Sequence, residues 1–162
     1  MSRRPRISTF SVATATTVVL GIALGLVAAT GAGAESNSKA DLAQVRDATA
    51  RYHDVAAAEA DGYVDLGLCF DQMGEHWGKP SQIDGSVTAT APEALVYAHV
   101  GDRLRLVAVE YVATGPGTVL GMPLHFNPAV NLWVLHAWIW MHNPGDMHDD
   151  TNPLVGDCPE QP

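Results

Sequence analysis

The sequence predicts an α+β domain in which one N-terminal amphipathic helix packs on a curved antiparallel sheet of about four or more strands. Three observations support this fold class. Apolar residues recur at helical spacing over residues 41–60, two apolar segments within residues 94–112 flank a short Gly-Asp turn, and further apolar segments follow at 119–126 and 131–141. A small all-β barrel with a peripheral helix is the alternative.

The helix is expected to begin near Ser38, whose side chain can cap it, and to end at Asp61-Gly62. Its predicted apolar face consists of Leu42, Val45, Ala48, Tyr52, Val55, Ala56 and Ala60. The segment from Tyr63 to Thr90 contains Gly, Pro and Asp throughout, which predicts a long loop. A long loop inside a compact domain often carries function.

The second half of the chain is strand-like. Ala94–Val100 and Arg103–Val112 flank Gly101-Asp102, a pattern typical of a hairpin. Alternation in the second of these strands predicts one face made of Leu104, Leu106, Ala108, Glu110 and Val112. In the strand predicted at 131–141, the shared face is Leu132, Val134, His136, Trp138 and Trp140. The Pro-, Asn- and Asp-rich tail from His142 to Cys158 is expected to be a loop.

Residues 1–34 have the features of a cleaved signal peptide. The basic residues of its start are Arg3, Arg4 and Arg6. An uncharged stretch, Val12–Ala29, follows, and Ala32-Gly33-Ala34 supplies small residues for cleavage. A single membrane anchor is the alternative, because 18 apolar or small residues approach spanning length. The start also resembles a twin-arginine signal, but Pro5 fits that pattern poorly, which favours ordinary secretion.

Cleavage would leave a disordered leader at 35–40 and one secreted globular domain at 41–162, long enough for a single hydrophobic core. The mature chain of 128 residues would carry six Lys and Arg against 18 Asp and Glu, a net charge of −12. Phosphate backbones and anionic lipids repel such a chain, so we expect neither nucleic acid nor a membrane as partner. A metal ion or small molecule is the expected partner, and the oligomeric state stays open.

The only two cysteines, Cys69 and Cys158, both lie after the predicted cleavage site. In an oxidising compartment an isolated pair is expected to form a disulfide. The alternative is a thiolate that acts as a metal ligand or nucleophile.

Glu110 and His136 are polar residues on otherwise apolar strand faces, where a buried carboxylate needs a partner or a metal. His76 in the Gly-rich segment and His125 near a strand end are the other well-placed imidazoles. Three histidines and one carboxylate would suit a transition metal such as Cu, Zn or Fe. The alternative is that Glu110 pairs with an arginine or a tyrosine hydroxyl, and that the histidines are ordinary half-buried residues.

Methionines lie close to several histidines, a combination that suits copper. The secondary metal candidates are therefore Met73, Met122, His142 and His148. The acidic tail offers a further set of cation ligands, although a solvated acidic loop is the favoured interpretation. These tail residues are His142, Asp146, His148, Asp149 and Asp150.

Other functions follow from other residues. The sequence has no Gly-x-Ser-x-Gly element, phosphate-binding glycine loop or dinucleotide fingerprint, which disfavours those enzyme classes. A small exported enzyme of isomerase or dehydratase type, acid/base or metal-assisted, is one alternative, with Glu110 and His136 in its site. A non-enzymatic binder of sugars or hydrophobic ligands is another, with Trp77, Trp138 and Trp140 as pocket candidates.

Four blocks spread over the mature chain carry a resemblance to known sequences. They are Met73–Trp77, Arg105–Tyr111, Leu135–Trp140 with Asn143-Pro-Gly145, and Asn152–Cys158. Together they resemble a family of uncharacterised secreted bacterial proteins. The resemblance implies export and supplies no activity, fold or ligand.

Overall fold

Helical segments precede the sheet in the computed structural model, which describes residues 30–158. Helix α1 spans Thr30–Thr49, a 3₁₀ turn spans Ala50–His53, and helix α2 spans Val55–Ala60. Most of the predicted signal peptide, residues 1–29, lies outside the described residues, and the range of α1 includes the predicted leader at 35–40. Within residues 30–158, no helix combines the length and apolarity needed to cross a membrane.

The single helix predicted over 41–60 is wrong, because the chain leaves the α conformation after Thr49. The buried Thr49 hydroxyl donates to the carbonyl of Val45 at 2.7 Å, and the last turn ends there. Asp54 is extended, with φ −93° and ψ 110°, and its carboxylate accepts from the backbone N–H of Ala56. Asp54 is therefore the N-cap of a second helix, and the intervening turn buries Tyr52.

Six strands form a strongly curled antiparallel half-barrel, which confirms the predicted fold class. With the two short strands of a separate pair, the described residues contain eight strands: β1 Val64–Phe70, β2 Gly74–Gly78, β3 Ala94–Val100, β4 Arg103–Ala113, β5 Thr118–Val119, β6 Met122–Pro123, β7 His125–Asn127 and β8 Leu132–Ala137. The order in the large sheet is β1-β2-β3-β4-β8-β7, and β5 pairs with β6 separately. A 3₁₀ turn, Pro80–Gln82, lies between β2 and β3.

The long loop predicted from Tyr63 to Thr90 is wrong, because β1 and β2 lie within it. Its glycines allow close strand packing. A side chain at Gly74, where φ is +102°, would overlap the carbonyl oxygen of Tyr97 on β3. At Gly78 an added Cβ would lie 2.8 Å from the side chain of Leu66. Here glycine marks contact between strands instead of a loop.

Two other predicted strands are shorter in the structure. The segment 119–126 is interrupted at Leu120 and Gly121, which both have positive φ and form the turn between β5 and β6. The strand predicted over 131–141 ends at Ala137.

A bulge in β4 interrupts the alternation of side chains, so the residues predicted to share one face lie on two faces. Val96 pairs with Ala108 but the next residue, Tyr97, pairs with Leu106, so β4 has one extra residue at Val107. Leu104 and Leu106 consequently belong to the helix-side core, with Val109 and Tyr111. The predicted common face for Leu104, Leu106 and Glu110 is therefore wrong, and Glu110 lies on the opposite face.

The helices cover one face of the sheet. Val45, Tyr52 and Ala58 are buried against residues of β3 and β4. The hydroxyl of Tyr97 donates to the carbonyl of Tyr52 at 2.6 Å, and the side chain of Arg46 donates to the carbonyl of Ile139 at 3.0 Å. These contacts fix the helices on that face and leave the other face of the sheet for the candidate site.

The predicted disulfide between Cys69 and Cys158 is confirmed, with the two Cα atoms 5.9 Å apart. It attaches the C-terminal tail to β1. Backbone bonds strengthen the attachment, since Asn152 donates to the carbonyl of Gln72 at 2.7 Å. The tail therefore returns to the β1–β2 hairpin, close to the face that the helices leave free.

Candidate metal centre

Three buried side chains point at one another on the face of the sheet opposite the helices. Nε2 of His76 lies 3.5 Å from Nε2 of His136 and 3.7 Å from Oε2 of Glu110. Nε2 of His136 lies 3.9 Å from Oε1 of the same carboxylate. Among residues 30–158, this is the group of His, Cys, Asp and Glu side chains whose donor atoms converge closely enough to hold one metal ion.

Strand pairing and curvature bring the three residues together. Glu110 on β4 and His136 on β8 are direct cross-strand partners, so their side chains are neighbours on one face. His76 lies on β2, with β3 in between, which in a flat sheet would place it about 10 Å from β4. The short side chain of Ala94 on β3, opposite Glu110, leaves room for the imidazole and carboxylate to meet.

The outer nitrogen of each imidazole faces an acceptor. Nδ1–H of His76 donates to the backbone carbonyl of Leu68 at 3.3 Å, which leaves Nε2 with a lone pair directed at the centre. Nδ1 of His136 lies 3.5 Å from Oδ1 of Asp150, within ion-pair range but long for a hydrogen bond. Histidine ligands of metals commonly have their second nitrogen engaged with a carbonyl or carboxylate in this way.

The surroundings of the site shift the pKa values of the two imidazoles in opposite directions. Burial lowers the pKa of His76, and the nearby carboxylate of Glu110 offsets only part of this effect. Burial also acts to lower the pKa of His136, but Glu110 and Asp150 outweigh it, and the pKa is raised. The contact with His136 lowers the pKa of Asp150. The carboxylates of Glu110 and Asp150 thus favour a positive charge at His136, which a proton or a metal ion would supply.

A cavity of about 100 Å³ lies directly beside the three side chains. Its walls are mainly hydrocarbon and come from both edges of the curled sheet. The apolar lining includes Leu66, Leu68, Phe70, Val112, Leu132 and Val134. The donors therefore lie at the side of an apolar pocket, so a buried polar centre adjoins a mainly hydrocarbon cavity.

The structure brings three of the four predicted ligands together, and His125 is outside the group. The imidazole of His125 is about half exposed, and its Nε2 contacts Oδ2 of Asp150 at 3.1 Å. Asp150 thus lies between His125 and His136 and contacts both. His125 belongs to the surroundings of the centre and not to its set of donors.

The secondary metal candidates are dispersed. Met73 lines the cavity, Met122 is exposed on β6, and His142 is exposed in the tail. Nδ1 of His148 lies 3.5 Å from Oδ1 of Asp146, within the same loop. Of these four residues, Met73 alone lines the cavity beside the three donors.

The tryptophans predicted as pocket residues do not line this cavity, but Trp138 and Trp140 line a separate pocket beside Arg46 and His142. Trp77 belongs to the helix-side core, and the indole N–H of Trp140 donates to the hydroxyl of Thr49 at 3.2 Å. Trp138 stacks on His136, with ring centroids 6.0 Å apart and an interplanar angle of 12°. Trp138 therefore supports the orientation of a donor from outside the cavity, while the other two indoles are core residues.

Sequence reasoning assigned Asp150 to a solvated tail and missed its contact with His136. Two neighbouring acids do serve the loop, since Asp149 accepts from the backbone N–H of Asp146 and Asp146 accepts from that of His148. The signal that could have identified Asp150 is its position eight residues before Cys158, because the disulfide returns this segment to β1.

No protein-family model matches the chain, and the searches of curated proteins and of solved structures give no significant match.

Proposed function

We propose that the exported protein binds one transition-metal ion through His76, Glu110 and His136. The observation that carries this proposal is the convergence of two imidazole Nε2 atoms and a carboxylate in a buried site, with both Nδ1 atoms directed at acceptors elsewhere. Two histidines and one carboxylate are a recurrent set of ligands for Zn and non-haem Fe. Copper is a third candidate, since imidazole suits it as well.

The distances between the donor atoms are close to those expected around a metal ion with ordinary metal–ligand bond lengths. In a tetrahedral site with bonds of about 2.1 Å, neighbouring donors are about 3.4 Å apart. The two Nε2 atoms of the site are 3.5 Å apart, and the carboxylate oxygens face them at 3.7 and 3.9 Å. Small movements of side chains would therefore complete the coordination, without rearrangement of the strands.

A second candidate function is that of a metal-dependent enzyme. Among the described His, Cys, Asp and Glu side chains three donors converge, and the apolar cavity lies beside them. Structural metal sites usually have four protein ligands, whereas catalytic sites leave a position for water or substrate. A metal held here would polarise a bound oxygen atom. The predicted export signal and the predicted mature charge of −12 support a role outside the cytoplasm, without nucleic acid or membrane as partner.

Metal analysis of natively exported protein tests the proposal. Elemental analysis is expected to find about one equivalent of a transition metal, and titration of stripped protein with Zn²⁺, Fe²⁺ and Cu²⁺ should show saturable binding at one site. The variants His76→Ala and His136→Ala should lose this binding, by more than the roughly 100-fold that loss of an outer partner costs.

The matched control is His99→Ala, which removes an exposed imidazole on β3 that contacts Glu75 and not the centre. It should bind metal like the wild type. Circular dichroism and the intact disulfide verify that each variant is folded. Folded wild-type protein that binds none of the three metals would overturn the proposal and favour a proton on His136 as the bound cation.

A further inference from the structure

The cavity beside the candidate metal centre has a polar end and hydrocarbon walls. Among the described residues that line it, the polar side chains are the three donors and Asn127. The side-chain oxygen of Asn127, Oδ1, already accepts from the backbone N–H of Ala129 at 3.0 Å. Within residues 30–158, neither lysine nor arginine lines the cavity. A ligand with several charged or hydroxyl groups would therefore leave most of them unpaired, which is costly.

The charge of the centre selects the head group of a ligand. A divalent ion with Glu110 and two neutral imidazoles would carry a net charge of about +1, and Asp150 lies behind His136, away from the cavity lining. The open side of the metal would thus attract a single anionic or strongly polar oxygen. Because neither lysine nor arginine is among the described residues that line the cavity, the metal itself would be the cationic partner of such a group.

The hydrocarbon walls continue to the exterior. Leu66, Leu68 and Phe70 on β1 line the cavity and are each about 40% exposed, and Val130 forms the opposite rim. Exposed aliphatic side chains grouped around one pocket commonly indicate a ligand-binding site. A chain attached to the polar head would run along these residues and cover them.

We infer that the site takes a small molecule with one oxygen-bearing anionic head and an unbranched hydrocarbon body, of which a short-chain monocarboxylate is the simplest example. The head occupies the open position of the metal, and the body lies between β1 and β8. This inference rests on the proposed function, because the head needs the metal. It excludes sugars as the ligand class.

The test uses the full exported protein loaded with Co²⁺, whose visible absorption reports on its ligands. Titration with formate, acetate, butanoate and hexanoate should change this spectrum, and affinity should rise about two- to fourfold for each added methylene. Hexanol, which has the same chain without the anionic head, should bind much more weakly.

Variants on β1 separate the pocket from the rest of the surface. Leu68→Ala shortens a wall of the cavity and should reduce the affinity for hexanoate several-fold while the affinity for formate stays unchanged. Val64→Ala, at an exposed position on the same strand but outside the cavity, should leave both unchanged. Both sites are exposed enough for the fold to tolerate the change.

The outcomes are distinguishable. Absence of binding of Co²⁺ and of Zn²⁺, Fe²⁺ and Cu²⁺ would overturn the proposed function itself. Binding of Co²⁺ with equal affinity for formate and hexanoate would overturn this inference alone, and so would binding of hexanol as tight as that of hexanoate.

Discussion

At the scale of single residues, the site depends on which nitrogen of each histidine is free. The carbonyl of Leu68 engages Nδ1 of His76, and the carboxylate of Asp150 faces Nδ1 of His136. Both Nε2 atoms therefore point at the centre. Asp150 has a second partner in His125, whose Nε2 contacts the other carboxylate oxygen, Oδ2. The candidate centre thus extends beyond its three donors to an outer residue supplied by the tail.

The substitution Asp150→Asn should reduce metal affinity about 10- to 100-fold, because it removes the charge that orients His136 and increases its basicity. Competition with a chromophoric chelator measures the change. Asp157→Asn is the matched control, since it removes one carboxylate from the same tail away from the centre. Equal affinity in the two variants would show that Asp150 has no role at the centre.

The buried carboxyl group of Glu93 leads to a prediction about how stability depends on pH. Glu93 is 2% exposed, and burial raises its pKa to about 7, although the backbone N–H of Val112 donates to its carboxylate at 3.0 Å. The folded state therefore binds this proton more tightly than the unfolded state. The contribution of Glu93 to stability is highest below the unfolded pKa of 4.5 and falls as the pH rises to about 7.

Glu93→Gln should accordingly have a free energy of unfolding close to that of the wild type near pH 4.5 and exceed it by about 3 kcal/mol at pH 8. Urea unfolding at a series of pH values measures the difference. Glu59→Gln, at an exposed position of α2, controls for the loss of one carboxylate. A difference between Glu93→Gln and wild type that does not change with pH would contradict the prediction.

At the scale of elements, the β1–β2 hairpin determines where His76 lies. Gly74 begins β2 at φ +102°, and its missing side chain allows the backbone of β3 to approach. His76 follows two residues later and pairs with Val96 on β3, and this register fixes the position of His76 along the strands. The bulge at Val107 has a similar effect on β4, since it turns Glu110 to the face that carries the site.

Gly74→Ala should destabilise the protein by about 3 kcal/mol or more, because the new methyl group overlaps the carbonyl oxygen of Tyr97 in a conformation unfavourable for alanine. Gly101→Ala is the control. Gly101 also has positive φ, at +63°, but no atom lies within 4 Å of the added methyl group, so the cost should be about 1 to 2 kcal/mol. Similar unfolding midpoints for both variants would contradict the importance of this close approach.

At the scale of the whole molecule, the disulfide connects stability to the site. Cys69–Cys158 closes a loop of 89 residues and returns the tail to β1. Asp150 lies in this tail, between the backbone bond from Trp138 to Met147 and the bond from Asn152 to Gln72. Covalent closure and backbone pairing together place a tail carboxylate against a histidine of the sheet.

Replacement of both cysteines by alanine should lower the free energy of unfolding by about 4 to 5 kcal/mol on the loop-entropy model. It should also weaken metal binding, up to the loss expected for Asp150→Asn, because the tail is less firmly held. Thermal unfolding and the chelator assay measure the two effects. If metal affinity stayed at the wild-type value while stability fell, backbone bonds alone would be sufficient to position Asp150.

Local chemistry in the sequence determined the fold class, the β3–β4 hairpin and the disulfide. Alternating apolar residues around Gly101-Asp102 predict the hairpin, and two cysteines allow only one intramolecular pair. The sequence also identified Glu110 and His136, because polar residues within apolar strands need partners wherever the chain folds. Only the tertiary structure decided which residues meet them. Sheet curvature brings in His76, the bulge at Val107 sets the face of Glu110, and chain closure supplies Asp150, since all three depend on contacts between residues far apart in the sequence.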